Sequence, residues 1–422
     1  MIFCYSFFTF FFYPILVLII YFRKLINKED QKRYKEKIFF SSFFSKRKNG
    51  SRLVWFHAAS IGEVQSIFPI ITRLNKTKRN LEFLITTVTL SAGNLVEKKF
   101  SKNYNIHHRY FPIDVKFLIK KFLDVWKPNL ILFVDSEIWP NLILEIKKQK
   151  ISSVIINGRI TKKSFDRWML VSRFAKKIFN TFDLCLASSN ESKKYLKKLD
   201  AKNIKYIGNI KLSTSVDLNK IKNQNENIFK KKRVWCAAST HEGEEFLCLR
   251  AHINLKKVYR NLLTIIIPRH ISRSIDISKL CADLNLNYQV LTSKTFIKKD
   301  KEVIIVNSFG ALQQYFRYSK SVFIGKSTLS RLKQVGGQSP IEAAKLGCKI
   351  YHGPYVYNFK EIYKLLKSYK ICKKIKSEKD LTKKLMIDLK SPKSNHHITN
   401  NKINNLGKRI LNNTTKEINK FL

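Results

Sequence analysis

The sequence contains no CxxC pair, no GxGxxG turn and no GxxxxGKS/T loop. Its seven cysteines (Cys4, Cys185, Cys236, Cys248, Cys281, Cys348 and Cys372) are odd in number and scattered. They form neither a disulfide framework nor a zinc-ligand set, and read as reduced, mostly buried thiols of a cytosolic compartment. Without either glycine-rich phosphate loop, an ATPase or a nicotinamide dehydrogenase is disfavoured. Acidic residues are scarce, 30 against 81 Lys and Arg, giving a net charge of +51 that suits an anionic partner. No dense basic block with interleaved aromatics marks a nucleic-acid surface, so nucleic acid is not the expected partner.

Charge is also missing from residues 1–22, a Phe-, Ile- and Leu-rich stretch long enough to cross a bilayer core. It lacks a basic start and a small-residue cleavage site, and Arg23, Lys24 and Lys28 follow it. The expectation is an uncleaved N-terminal membrane anchor helix, a single span with the body of the chain on the cytoplasmic side. The basic stretch Gln31–Lys48, with Phe39, Phe40, Phe43 and Phe44 among lysines, suits an anionic membrane surface.

A length of 422 residues with 44% apolar composition supports two cores. Short apolar runs alternate with helical patterns. Arg52–His57, Glu82–Thr87, Asn129–Val134, Ile151–Ile156 and Phe182–Ala187 read as strands of a parallel sheet covered on both faces. Leu212–Lys232 loses the apolar rhythm and reads as a linker. A second series follows at Arg233–Ala237, Leu262–Ile267, Val303–Val306, Val322–Gly325 and Lys349–Tyr351. The reading is a membrane anchor over residues 1–22, an N-terminal Rossmann-like domain over 31–215, and a C-terminal Rossmann-like domain over 233–422 ending in a helix.

Ligands of open α/β sheets bind where strands end, and those positions here are polar. Ser60, Ile61, Gly62 and Glu63 follow the first strand; Glu63 fits either a proton acceptor or an acid placed on a helix dipole. Asp135 and Glu137 close the third strand, and two carboxylates near Glu63 would raise one pKa. Arg159 and Lys162, after the fourth, suit an acceptor phosphate. In the second half, Ser239 and Thr240 read as part of a helix N-cap with an anion site. Arg269 suits a bidentate phosphate contact, and Gly336-Gly337 turning into a helix with Glu342 suits a ribose and phosphate site.

Nine strings between Trp55 and Tyr363 stand in the order and spacing of one family: HAASIGEV, TTVTLSAG, YFPIDV, DSEIWPNLI, NGRITKKS, GNIKLS, AASTHEGEE, IPRH and GGQSPIEAA. On them the chain resembles the lipid A transferases of 3-deoxy-D-manno-octulosonic acid (Kdo). The resemblance implies an α/β GT-B fold, two Rossmann-like domains with a cleft between them. It also implies inverting, metal-independent transfer with no cofactor, from a CMP-Kdo donor to the lipid A precursor (lipid IVA) of lipopolysaccharide, at the inner membrane. It assigns the base to Glu63, an essential acid to Glu137, nucleotide contacts to Ser239, Thr240, Arg269 and Glu342 with the Gly336-Gly337 turn, and acceptor contacts to Ser60, Arg159 and Lys162.

Three positions depart from the family pattern: Asn307-Ser308-Phe309-Gly310-Ala311 lacks an acidic donor contact, Ser339 replaces an Asn, and Asp135 replaces a Glu. These changes bear on donor affinity and leave the base intact. The rivals are a transferase or nucleotide-sugar epimerase of the same fold using a uridine donor, and a catalytically dead family member.

Overall fold

The computed structural model describes residues 2–422 except 45–46, 49, 79, 293–294, 309, 311, 334 and 392–400. The chain forms two compact units, residues 1–214 with 405–422, and residues 215–404.

In the first unit, β1 (Arg52–His57), β2 (Leu81–Thr87), β3 (Ile106–Tyr110), β4 (Leu130–Val134), β5 (Ser152–Gly158), β6 (Leu184–Ala187) and β7 (Ile204–Tyr206) form one sheet in the order β3-β2-β1-β4-β5-β6-β7. Every pairing is parallel. All five residues of β4, Leu-Ile-Leu-Phe-Val, are buried, as a strand covered on both faces requires. Trp55, Phe122, Trp126, Phe133 and Phe179 fill the space between sheet and helices. The strand order reverses between β1 and β4, and the crevice where ligands bind in such sheets opens there.

In the second unit, β8 (Arg233–Thr240), β9 (Leu262–Pro268), β10 (Tyr288–Leu291), β11 (Val303–Val306), β12 (Ser321–Ile324), β13 (Lys349–His352) and β14 (Cys372–Lys374) form a parallel sheet in the order β10-β11-β9-β8-β12-β13-β14. Its corresponding reversal lies between β8 and β12.

Three sequence expectations change. The terminal helix Asn401–Ile418, assigned from sequence to the C-terminal domain, belongs from Asn405 onward to the first unit. Gly407 permits this approach, because a Cβ there would sit 2.1 Å from the Leu212 carbonyl oxygen.

The uncharged N-terminus is two helices, α1 (Ile2–Phe11) and α2 (Tyr13–Leu25), bent by 53° at Phe12. Pro14, in the first turn of α2, cannot donate a backbone bond and its ring crowds the preceding turn. Among the described residues no single helix is long and apolar enough to cross a membrane; only this bent pair matches by length and composition.

Phe43, read as part of a surface stretch, is buried edge-on against Phe122 at 5.2 Å, whereas Phe40 and Phe44 stay exposed. Ser45 and Lys46 of that stretch lie outside the described residues.

Candidate active site

The helix α3 (Ile61–Thr77) starts four residues after β1, with Ser60 in extended backbone at its N-cap. Glu63 sits in its first turn, and its carboxylate folds back over the helix entrance. Oε1 accepts from the Ser60 hydroxyl at 2.7 Å and Oε2 from the Ala59 N–H at 2.8 Å. Both bonds run to the carboxylate, and the Ser60 side chain makes no cap bond to the helix; the first-turn acid read from the sequence as a dipole partner is present. Yet Glu63 is only 8% exposed. Burial, then the charge of Asp135, and to a lesser degree that of Glu137, push its carboxyl up to about 7 against the Ser60 and Ala59 hydrogen bonds. A capping acid on an open surface would not titrate there; a proton acceptor at neutral pH would.

On the other side of the strand-order reversal, β4 ends in Asp135, whose φ of 58° is a left-handed turn that Asp tolerates. Asn157, at the end of β5, has a matching φ of 56° and donates to Asp135 Oδ1. Lys211 Nζ donates to Asp135 Oδ2 at 2.6 Å, so the buried carboxylate is charge-paired.

Glu137 lies beside a fixed aromatic frame. Trp139 Nε1, which can only donate, reaches His57 Nε2 at 2.9 Å and Glu137 Oε2 at 3.2 Å. His57 Nε2 therefore accepts, which assigns its proton to Nδ1, 2.8 Å from Thr86 Oγ1. His57 Nε2 and Glu137 Oε2 are 3.6 Å apart.

The structure thus brings Ser60, Glu63, Asp135 and Glu137 together. Ser60, assigned from sequence to the acceptor, directs its hydroxyl to Glu63. Arg159 joins the group through its backbone, its N–H donating to the Asp135 carbonyl at 3.2 Å. Lys162 opens the helix Lys162–Met169 and pairs with Asp166 one turn on at 2.7 Å, largely in solvent.

In the second unit, β8 runs through Ser239 and Thr240, and the following helix starts only at Glu244, with Gly243 (φ 93°) as its N-cap. The N-cap role read for Ser239 and Thr240 is corrected accordingly. Ser239 instead makes a left-handed turn (φ 56°) at the end of the strand.

Glu244, the first residue of that helix, lies inside the AASTHEGEE string. It is fully buried and organises the ends of β8 and β12 together. Its carboxylate accepts from the backbone N–H groups of Lys326 (2.6 Å), Ser327 (2.8 Å), Thr328 (3.0 Å) and His241 (3.1 Å), and from the Thr328 hydroxyl (2.9 Å). Lys326 has a φ of 58°, unusual for a lysine, and its carbonyl accepts from Gly337 N–H at 2.6 Å.

Around this frame, Arg269 is exposed at the end of β9, with its N–H donating to the Thr240 carbonyl at 3.0 Å. Gly337 (φ 93°) needs glycine conformationally. Gly336 needs it sterically, because a Cβ there would lie 2.4 Å from the Tyr355 carbonyl oxygen. Glu342 opens the short helix Ile341–Lys345 and accepts from Gln313 Nε2 at 3.1 Å; burial raises its pKa. Among the described residues, no group of three or more His, Cys, Asp or Glu is placed to hold a metal ion. Phe309 and Ala311, two of the positions departing from the family pattern, lie outside the described residues.

Residues 32–214 match the family model for 3-deoxy-D-manno-octulosonic-acid transferase (kdotransferase). A 3-deoxy-D-manno-octulosonic acid transferase of Rickettsia bellii is 30% identical over 405 residues, covering 95% of this chain and 94% of that one. The chain belongs to the 3-deoxy-D-manno-octulosonic acid transferase family. A second relative of that name, from Haemophilus influenzae, is 29% identical over 73% of this chain and 72% of its own. As a Kdo transferase family member the protein is a glycosyltransferase. A UDP-N-acetylglucosamine 2-epimerase of Neisseria meningitidis, solved bound to UDP-GlcNAc, superposes with a TM-score of 0.58 over 88% of this chain and 99% of its own at 14% identity. That likeness supports the GT-B-type α/β architecture alone and carries no uridine chemistry to this chain.

Proposed function

We propose that the protein transfers Kdo from CMP-Kdo to lipid IVA with inversion at the anomeric carbon, Glu63 acting as general base. The acceptor hydroxyl oxygen bonds to the anomeric carbon as its proton passes to the Glu63 carboxylate. The bond from that carbon to the CMP phosphate oxygen breaks, and its electron pair leaves with CMP. The observation that carries this reading is the buried Glu63 carboxyl, poised near 7 beside Asp135 and Glu137 at the strand-order reversal of the first sheet.

Donor binding falls to the second unit. Arg269, exposed at the end of β9, is suited to the charge that develops on the leaving phosphate. Arg159 and Lys162 are the cations we assign to the acceptor's phosphate. The uncharged first 22 residues and the basic positions after them favour attachment to the cytoplasmic face of the inner membrane.

Mass spectrometry of lipid IVA incubated with purified protein and CMP-Kdo tests the reading. The expected product is heavier by one or more Kdo residues and does not form with uridine sugars. Turnover of a uridine sugar with CMP-Kdo inert would overturn it.

A further inference from the structure

The bent N-terminal helix pair is docked along the first unit at its beginning, middle and end. Near the start of α1, the Tyr5 hydroxyl donates to Asp114 Oδ2 at 3.0 Å, and the Ser6 hydroxyl donates to Asn141 Oδ1 at 2.6 Å. Asn141 Nδ2 in turn donates to the Thr9 hydroxyl at 3.1 Å. Asp114 is almost fully buried and also accepts from the N–H groups of Asn141 (3.0 Å) and Leu142 (2.9 Å), so this anchor point is part of the folded body. At the bend, Tyr13 donates to the Ile38 carbonyl and packs edge-on against Phe117 at 5.1 Å. In the last turn of α2, Arg23 pairs with Glu29 at 2.7 Å, and Glu29 is buried with Lys37 as its second partner. Tyr21 packs on the buried Tyr34 at 5.3 Å.

Tyr5, Ser6 and Thr9 of α1 therefore face the body, and Phe3, Phe7, Phe8 and Phe11 are exposed. Phe3 is 80% exposed and Phe11 65%, and α2 has no buried residue, with Leu18 67% and Phe22 63% exposed. An exposed apolar face of this extent is not left in water. With 10 and 13 residues, the two helices are about 15 and 20 Å long at 1.5 Å per residue, each well short of the ~30 Å hydrocarbon core.

A segment tied to one body at both ends cannot place those ends on opposite sides of a bilayer. We infer that the N-terminal pair is a monotopic element. It lays the outward aromatic faces of α1 and α2 into a single leaflet, with the N-terminus and the body on the same side of the membrane. Arg23, Lys24 and Lys28 at the end of the apolar run suit the anionic headgroups of that leaflet. This inference rests on the membrane reading above and replaces the single span expected from the sequence. It places the bilayer beside the α/β body that carries Glu63, tied through Asp114 and Asn141 rather than through a free linker.

The test is a protease-sidedness assay on the full chain carrying a short epitope before Met1, expressed in a Gram-negative host. The membrane pellet is first washed with high salt and alkaline carbonate. Release of the protein at that step would overturn the membrane reading itself, and the inference with it. In protein that stays in the pellet, the epitope is expected to survive protease added to intact spheroplasts and to be lost, together with the body, in inverted vesicles. Loss of the epitope from intact spheroplasts while the body survives would show a true span and overturn the inference alone.

Discussion

The Ser60 hydroxyl donates to Oε1 of Glu63 at 2.7 Å, and this bond favours the charged carboxylate that burial and Asp135 disfavour. Ser60 thereby sets how much of Glu63 is available as a base at neutral pH. In Ser60→Ala the Glu63 carboxyl titrates higher, and the acidic limb of the pH–rate profile moves to higher pH. Activity at pH 7 falls several-fold and recovers as the pH is raised. A profile unchanged in position, with activity lowered equally at all pH values, would place Ser60 in acceptor contact instead.

Because the native Glu63 value, about 7, lies above its ordinary 4.5, the folded protein binds this proton more tightly than the unfolded chain. The linked stability is fully present below about 4.5 and is lost as pH rises through about 7. Glu63→Gln removes that loss. Its melting temperature relative to wild type is expected to be higher at pH 8 than at pH 5, as thermal melts across that range would read.

Lys211 reaches Asp135 across 76 positions of sequence. Lys211→Met leaves Asp135 buried and without its cation, at a cost of about 1–3 kcal/mol of stability. Adding Asp135→Asn is expected to restore much of that loss, since the uncharged amide needs no counter-ion. Chemical denaturation of both single variants and the double variant reads the coupling directly.

In the second unit, Arg269→Ala is expected to raise the donor KM roughly 10-fold or more, the loss of one charged phosphate hydrogen bond at about 1.5–3 kcal/mol, with little change for the lipid acceptor. Glu244→Ala acts differently, because five hydrogen bonds at the ends of β8 and β12 lose their acceptor. It should lower the melting temperature and weaken CMP binding together, whereas Arg269→Ala should leave the melt unchanged. Calorimetric CMP titration and a melt on each variant separate the two roles.

Legibility in the sequence followed burial. The apolar runs of β1, β2, β4, β5 and β6 were readable because the middle of a strand covered on both faces is apolar, as in Phe83-Leu84-Ile85 and Val154-Ile155-Ile156. The edge strands β3, β7, β10 and β14 were not. β3 reads Ile-His-His-Arg-Tyr, its polar residues engaging Glu82, Thr87 and the Arg33 segment, and this obscures an apolar signal. At the site, Glu63, Asp135 and Glu137 were visible because each lies in the segment that leads from a strand into the first turn of the next helix. Lys211 lay inside the quoted GNIKLS string, but nothing local marks a cation whose partner is 76 residues away. The role of Glu244 was hidden for the same reason, since three of the four amides it binds are more than 80 residues further on. Pro14 was in plain view and breaks the apolar N-terminus, yet hydrophobic length alone reads through it.

Single-turnover transfer by Glu63→Gln, measured beside wild type on preparations shown by calorimetry to bind donor equally, tests the central claim most directly. Gln keeps the side-chain volume, with its oxygen able to accept from the Ala59 N–H and its NH2 able to donate to the Ser60 hydroxyl oxygen, while removing the basicity. The account predicts a rate lowered by about 10²–10⁴, with the wild-type dependence on a group titrating near 7 lost from the residual activity. Full turnover in the Gln variant, with the same pH dependence as wild type, would contradict it and move the base to Asp135 or Glu137.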